Sequence, residues 1–441
     1  MKKTSLIAFL LVLTMCLPLL SSCTPANQAN ESLEFVSNGD GTCYVSGIGT
    51  CTNTDIVIPS VSPDGDAVTG IGDSAFYSCT NIASIKIPDG VTSIGKMAFH
   101  SCLNLKSIEI PNGITSIGDL AFSHCRSLIS IEIPDGTTNL GIAVFENCES
   151  LTVIEIPDGV ITIGRDAFYE CKSLVLVKIP DSVTSIGERA FSSCNSLTGV
   201  DIPDSVTSIG DGAFSGCESL TSVDIPDSVT YIGKNAFWGC SNLTHVKISN
   251  YVTKISDGTF FHCTDLESIE IPNSVTSVGN DAFSHCTSLT NIEISDSVTS
   301  IGDGSFYGCS ALAEIAIPDN VVSIGKRAFQ GCTDLTNITL PYWIKTIEYN
   351  LFTDCDSLTS VTIPPWVNSI ESCAFCGCDS LTSIIISQHV VNVGDSAFLG
   401  CDSLDTVYYV RSEEKWASIT IGKENIPLKN ATIIYNYVPE E

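Results

Sequence analysis

Fifteen cysteines stand 23 residues apart without a slip, running from Cys79, Cys102 and Cys125 to Cys355, Cys378 and Cys401. A fixed period with no insertion constrains this chain more than its length of 441 residues does. Such a period is the mark of a solenoid, in which each coil stacks on the coil before it. One coil cannot bury its apolar residues alone, so stability is expected from stacking. Phenylalanine stands three residues before every one of these cysteines, from Phe76 to Phe398. Stacked coils would set those rings in one line.

Residues 217 to 239 show how one coil is written. After Cys217 and Leu220, Val223 and Ile225 alternate with polar residues as in a half-buried strand. Pro226-Asp227 ends that strand, since proline has no N–H for a ladder and aspartate favours turns. Val229 and Ile232 mark a second short inward-facing segment, and Gly233 permits a tight bend. Ala236-Phe237 then return the chain to the next cysteine, and a helical turn is expected there. The fold class is therefore a β-rich solenoid of parallel strands joined by short helical or turn returns.

Leu-x-x-Ile-x-Ile-Pro-x-x-Val-x-x-Ile-Gly-x-x-Ala-Phe-x-x-Cys resembles the treponemal-type leucine-rich repeat of BspA-like surface proteins. The resemblance covers residues 42 to 437, from the lead-in Cys43-Tyr44-Val45 to an exit segment with Tyr408-Tyr409 and Trp416. It implies a leucine-rich repeat array and a cell-surface protein that binds host extracellular or cell-surface macromolecules. It supplies no catalytic motif.

Five segments are expected. Residues 1–22 read as a signal peptide, with Lys2 and Lys3 ahead of an apolar run from Leu6 to Leu20. Leu20-Ser21-Ser22-Cys23 resembles a bacterial lipobox, which makes Cys23 the lipidation site and the membrane anchor. Residues 23–41 are polar and read as a tether. Residues 42–67 form an N-terminal cap, 68–406 the repeat array, and 407–441 a C-terminal cap in which Trp416 and Ile433-Ile434-Tyr435 cover the last coil.

The formal charge of −30 argues against nucleic acid and favours basic partners or divalent cations. Signal cleavage would remove Lys2 and Lys3 and no acid, taking −30 to −32. The cysteine ladder reads as small buried residues satisfying loop backbone, rather than as a metal tape or disulfide rack. Outside it, Cys43 and Cys51 are spaced to close a short loop, and Cys373, Cys376 and Cys378 cluster without an evident further ligand. His262 and His285 occupy equivalent places in adjacent coils and should be neighbours. No nucleophile and base set or phosphate loop stands out, so neither an enzyme nor a cofactor is expected.

Two surface features remain as binding candidates. One is acidic: the outward strand position reads Glu109, Glu132, Glu155, Lys178, Asp201, Asp224, Lys247, Glu270 and Glu293. A second aspartate column after the strand, including Asp89, Asp135 and Asp227, reads as turn capping. The other feature is aromatic and lies where the repeat breaks. Tyr342, Trp343 and Trp366 replace small polar residues, and His389 follows one coil later. These rings either form an interaction patch or shield the end of the array. Trp238 and Phe261 make a smaller pair in adjacent coils. The expectation is a monomeric, exported, lipid-anchored surface protein that binds another protein. Glycan capture by the tryptophans and a structural role in the envelope are the alternatives.

Overall fold

The computed structural model describes residues 32–439, so the signal segment 1–22 and Cys23 lie outside the described residues. The chain divides into two compact units, Met1–Leu220 and Thr221–Glu441. Each is a stack of coils in a parallel β-solenoid, and each coil supplies up to two short strands.

In the first unit one sheet runs through Asp55–Val57, Ser84–Lys86 and Ser107–Glu109. Another runs through Val153–Glu155, Leu176–Lys178 and Gly199–Val200. In the second unit Ser222–Asp224 pairs with His245–Lys247, and Ser268–Glu270 with Asn291–Glu293. Glu314–Ala316 pairs with Asn337–Thr339, and Ser360–Thr362 opens a run through Ser383–Ile386, Thr406–Tyr409 and Thr432–Tyr435. Within the array the partners are 23 residues apart, as for Ile269 and Ile292, so each side chain meets its equivalent in the next coil.

The core consists of columns. All fifteen phenylalanines are fully buried. In the first unit their rings stack from Phe76 to Phe214, with centroids 5.2–5.5 Å apart. In the second they stack from Phe237 to Phe398 at 5.2–5.8 Å. The cysteine column lies beside them. Cys102 Sγ–H donates to the carbonyl of Phe76 at 3.1 Å, and Cys286 Sγ–H to that of Phe260 at 3.2 Å. The same carbonyl accepts the backbone N–H of the cysteine in its own coil, as Phe76 O does from Cys79 at 3.1 Å. The thiol therefore satisfies the second lone pair of a buried carbonyl, as expected for backbone satisfaction. Burial pushes Cys217 and Cys309 up to about 12, which keeps these thiols protonated as hydrogen-bond donors.

The return segment differs from the expected helical turn. It consists of successive tight turns with two left-handed residues per coil, such as Ser74 (φ 56°) and Ser78 (φ 55°). Its N–H groups alternate between two acceptors. Ala75 and Tyr77 donate three residues back, to Gly72 and Ser74, whereas Ser74, Phe76 and Ser78 donate to Lys96, Ala98 and His100 of the next coil. Half of the donors a helix would use are thus taken by stacking.

At the N-terminus, Glu34–Ser37 pairs antiparallel with Thr42–Gly47, which in turn pairs parallel with Ala67–Ile71. This corrects the expected tether: residues 34–41 form a hairpin of the cap. The polar loop Asn38–Gly41 is its turn, and Leu33 is buried at its base. At the C-terminus Thr432–Tyr435 adds a last parallel strand, and Trp416 sets its ring against buried Tyr409 at 5.2 Å.

Candidate functional site

The turn after each first strand shows which positions the fold needs. Its backbone closes without help, as when Val229 N–H donates to Pro226 O at 3.0 Å. The third residue of the turn is glycine in the early coils and serine at Ser182, Ser205, Ser228, Ser274 and Ser297, and four of these serines bond the neighbouring coil. Ser182 Oγ–H donates to Val160 O at 2.7 Å, Ser274 to Val252 O at 2.6 Å and Ser297 to Val275 O at 2.7 Å. Tyr251, Trp343, Trp366 and His389 occupy this same column and give up the serine bond. Trp343 is 54% exposed, Trp366 45% and Tyr342 46%. The C-terminal segment therefore does not bury them.

These rings are ordered against one another. Trp343 and Trp366 stack at 6.2 Å with planes 13° apart, and Trp366 stacks on His389 at 5.1 Å and 7°. Tyr342 meets Trp343 edge-on at 4.8 Å. His389 Nδ1 lies 2.5 Å from Pro365 O, which fixes the imidazole under Trp366. Tyr251, 62% exposed, stands in the same column four coils earlier, and the sequence reading passed over it because it is alone in its neighbourhood.

A groove runs beside this column across the strand face of the second unit. It comprises overlapping hollows of about 620, 740 and 570 Å³. The first is lined by His245, Lys247, Glu270 and Glu293, the second by Glu293, Glu314 and Asp319, and the third by Asp319, Thr339, Tyr342 and Trp343. Glu270 and Glu293 sit in register on adjacent strands. Like charges placed opposite each other are mildly unfavourable. No cation lies within ion-pair distance of Glu270, Glu293, Glu314 or Asp319 among the described residues.

The acidic column of the first unit is different. Glu109 pairs with Lys86 at 2.8 Å, and Glu155 with Lys178. A lysine occupies the same outward position one coil away and reaches the carboxylate, whereas Lys247, placed one coil before Glu270, is not within ion-pair distance of it among the described residues. Glu109 and Glu155 are therefore not bare carboxylates, which corrects the sequence expectation for them. Glu132 is exposed on a segment with no assigned strand, and with Glu155 it borders a hollow of about 810 Å³. Asp201 follows the strand Gly199–Val200. Asp224, in the second unit, lies 3.9 Å from the His245 ring.

The pair Trp238 and Phe261 stacks at 6.0 Å, with Trp238 42% exposed. The structure extends it. Phe261 meets His262 and His285 edge-on, the two imidazoles stack at 4.5 Å, and His285 meets Tyr307 edge-on. The two histidines are neighbours, as expected. Burial and the His262 ring hold His285 below the usual imidazole range. Nearby, burial and the carboxylates of Asp303 and Asp257 raise Asp281. Among the described residues no group of three or more histidines, cysteines and acids is placed to hold a metal ion. Cys43 and Cys51 are separate buried thiols, and Cys373 and Cys376 are half-buried.

Signals missed in the sequence include a second polar column. Asp73, Asp119, Asp303 and Asp395, one residue after the bend glycine, each accept a backbone N–H of the next coil at 2.7–2.8 Å. Of the aspartates expected to cap turns, Asp227 accepts across coils, from Asn250 N–H at 3.0 Å.

The BspA-type leucine-rich repeat profile matches residues 69–198, 184–313 and 299–420, each match spanning six copies. The chain belongs to the BspA-type leucine-rich repeat family. Among solved structures it is similar to a leucine-rich repeat protein from Bacteroides ovatus, at 29% identity and a TM-score of 0.72, covering 93% of this chain and 99% of that one. It also matches a leucine-rich cell surface protein from Faecalibacterium prausnitzii, at 30% identity and a TM-score of 0.47, over 90% of this chain and 98% of that one. A search of curated proteins returned no match. Among the described residues no helix is long and apolar enough to cross a membrane.

Proposed function

We propose that this BspA-type protein is exported, anchored through lipid on Cys23, and displayed to bind another protein at the cell surface as an adhesin. The observation that carries the binding site is the turn column of the second unit. There, Trp343 and Trp366 replace a serine that the stack uses and leave large rings exposed. Such exposed aromatic patches commonly mark interaction sites, and tryptophan and tyrosine dominate binding hot spots. A regular array with shallow open grooves supports broad-surface binding rather than catalysis.

Glycan capture would use the same residues. A sugar stacks on a free ring face, however, and Trp366 is covered on both faces by Trp343 and His389, which leaves only the outer face of Trp343 open, beside the edge of Tyr342. That favours a protein partner.

Two experiments test this. Labelling of cells with an alkynyl fatty acid should tag the chain, and Cys23→Ala should abolish the tag; an untagged wild type removes the anchor. The chain should bind at least one protein in a panel of immobilised extracellular matrix and plasma proteins, and Trp343→Ala with Trp366→Ala should weaken that binding without unfolding the array. Unchanged affinity in the folded double variant removes the site.

A further inference from the structure

The second unit contains a span of unusual charge. Between Lys254 and Lys326 the sequence has ten aspartates and glutamates and no lysine or arginine. Lys234 and Lys254 both pair with Asp257 in that span. Glu270, Glu293, Glu314 and Asp319 line the groove on the strand face. Beyond them the outward strand position becomes Ala316, Thr339 and Thr362, which leaves a low floor up to the aromatic wall.

The turn column brackets the same coils. Tyr251 stands at one end and Trp343 at the other, with only Ser274, Ser297 and Asn320 between them. Four coil steps at roughly 4.8 Å make this opening about 20 Å wide. About six residues of extended chain, at roughly 3.3 Å each, would span it. At the Trp343 end the rings can receive a guanidinium or cover an aliphatic stem.

We propose that the groove between Tyr251 and Trp343 binds an extended polypeptide segment rich in lysine and arginine. This rests on the protein-binding function above and names the chemistry of its partner. Charge complementarity sets the occupant: unpaired carboxylates line the groove along the length of the segment, and an anionic or neutral chain would gain nothing from them. Lys247 closes the end nearer Tyr251 and confines a cationic chain to the coils that follow.

The test is fluorescence anisotropy of a labelled lysine–arginine octapeptide with the full chain at about 0.15 M salt. A glycine–serine octapeptide serves as the neutral probe. Saturable binding of the basic probe alone is expected. Glu270→Gln, Glu293→Gln and Glu314→Gln together should weaken it at least about tenfold, and Trp343→Ala about threefold. The matched control Glu109→Gln, Glu132→Gln and Glu155→Gln removes the same charge from the first unit and should change affinity less than about twofold. Equal loss in both triple variants would show unspecific attraction to a polyanion and overturn the proposal, as would no binding by the wild type. Circular dichroism verifies that each variant is folded. If a panel protein still binds the groove variants with full affinity, the protein-binding function stands and the groove proposal falls.

Discussion

The two units share a core and differ in their faces. Both stack buried phenylalanines, and both tie each coil to the next through cysteine thiols. On the first unit, charges are matched across coils: Lys86 with Glu109, Lys178 with Glu155, and Arg189 with Asp166. On the second, the strand face keeps bare carboxylates, and aromatic rings replace serines. The core columns are the same, so the fold does not require these differences. They are where selection for a partner can act.

The largest effect should test the shared core. Phe191→Ala and Phe283→Ala each open a cavity in the middle of a ring stack and should cost about 3–5 kcal/mol. Thermal or urea denaturation should give similar losses in the two units; losses differing by more than about 2 kcal/mol would break the equivalence. Next is the charge matching of the first unit. Asp166 is 6% exposed, and Arg189 holds it through Nε at 2.8 Å and Nη2 at 3.0 Å. Arg189→Ala should destabilise by about 3 kcal/mol, softened by Arg165. Glu270→Gln on the second unit should be neutral or slightly stabilising, because Glu293 opposes it.

A smaller effect comes from the thiols. Cys194→Ala and Cys286→Ala should each cost about 1–2 kcal/mol, since the phenylalanine carbonyl keeps its backbone N–H partner. The serine variants, which keep a donor, should cost less if that bond is what matters.

The smallest effect concerns pH. Burial, then the neighbouring imidazole, holds His100 in the first unit and His285 in the second below the usual range. Between the ordinary value near 6.5 and the lower folded value, the unfolded chain binds more protons. Stability should therefore rise with pH and be lost as pH falls from about 7 through that window. Melting temperatures of His100→Gln and His285→Gln should show a shallower slope than the wild type.

Much of the fold was legible because the residues that build it recur at one spacing. Cysteine, phenylalanine and the strand isoleucines keep their identity from coil to coil, so stacking could be read directly. The return path was not legible. Its left-handed positions hold Ser74, Met97, Leu120 and Asp166, with no shared chemistry, because their conformation is imposed by hydrogen bonds to the next coil. The N-terminal hairpin was missed because Glu34-Phe35-Val36-Ser37 is short and sits in polar sequence. At the candidate site, Trp343 and Trp366 were visible as breaks in the repeat. The pairing of Glu109 and Glu155 was not weighed, although Lys86 and Lys178 stand one period away.

Hydrogen–deuterium exchange of the full chain, with and without a protein partner captured from the panel, tests the central claim most directly. The account predicts slowed exchange in segments 268–272, 291–296, 337–343 and 360–366, and no change in residues 69–220. Slowed exchange confined to the first unit, or spread equally over both, would contradict it.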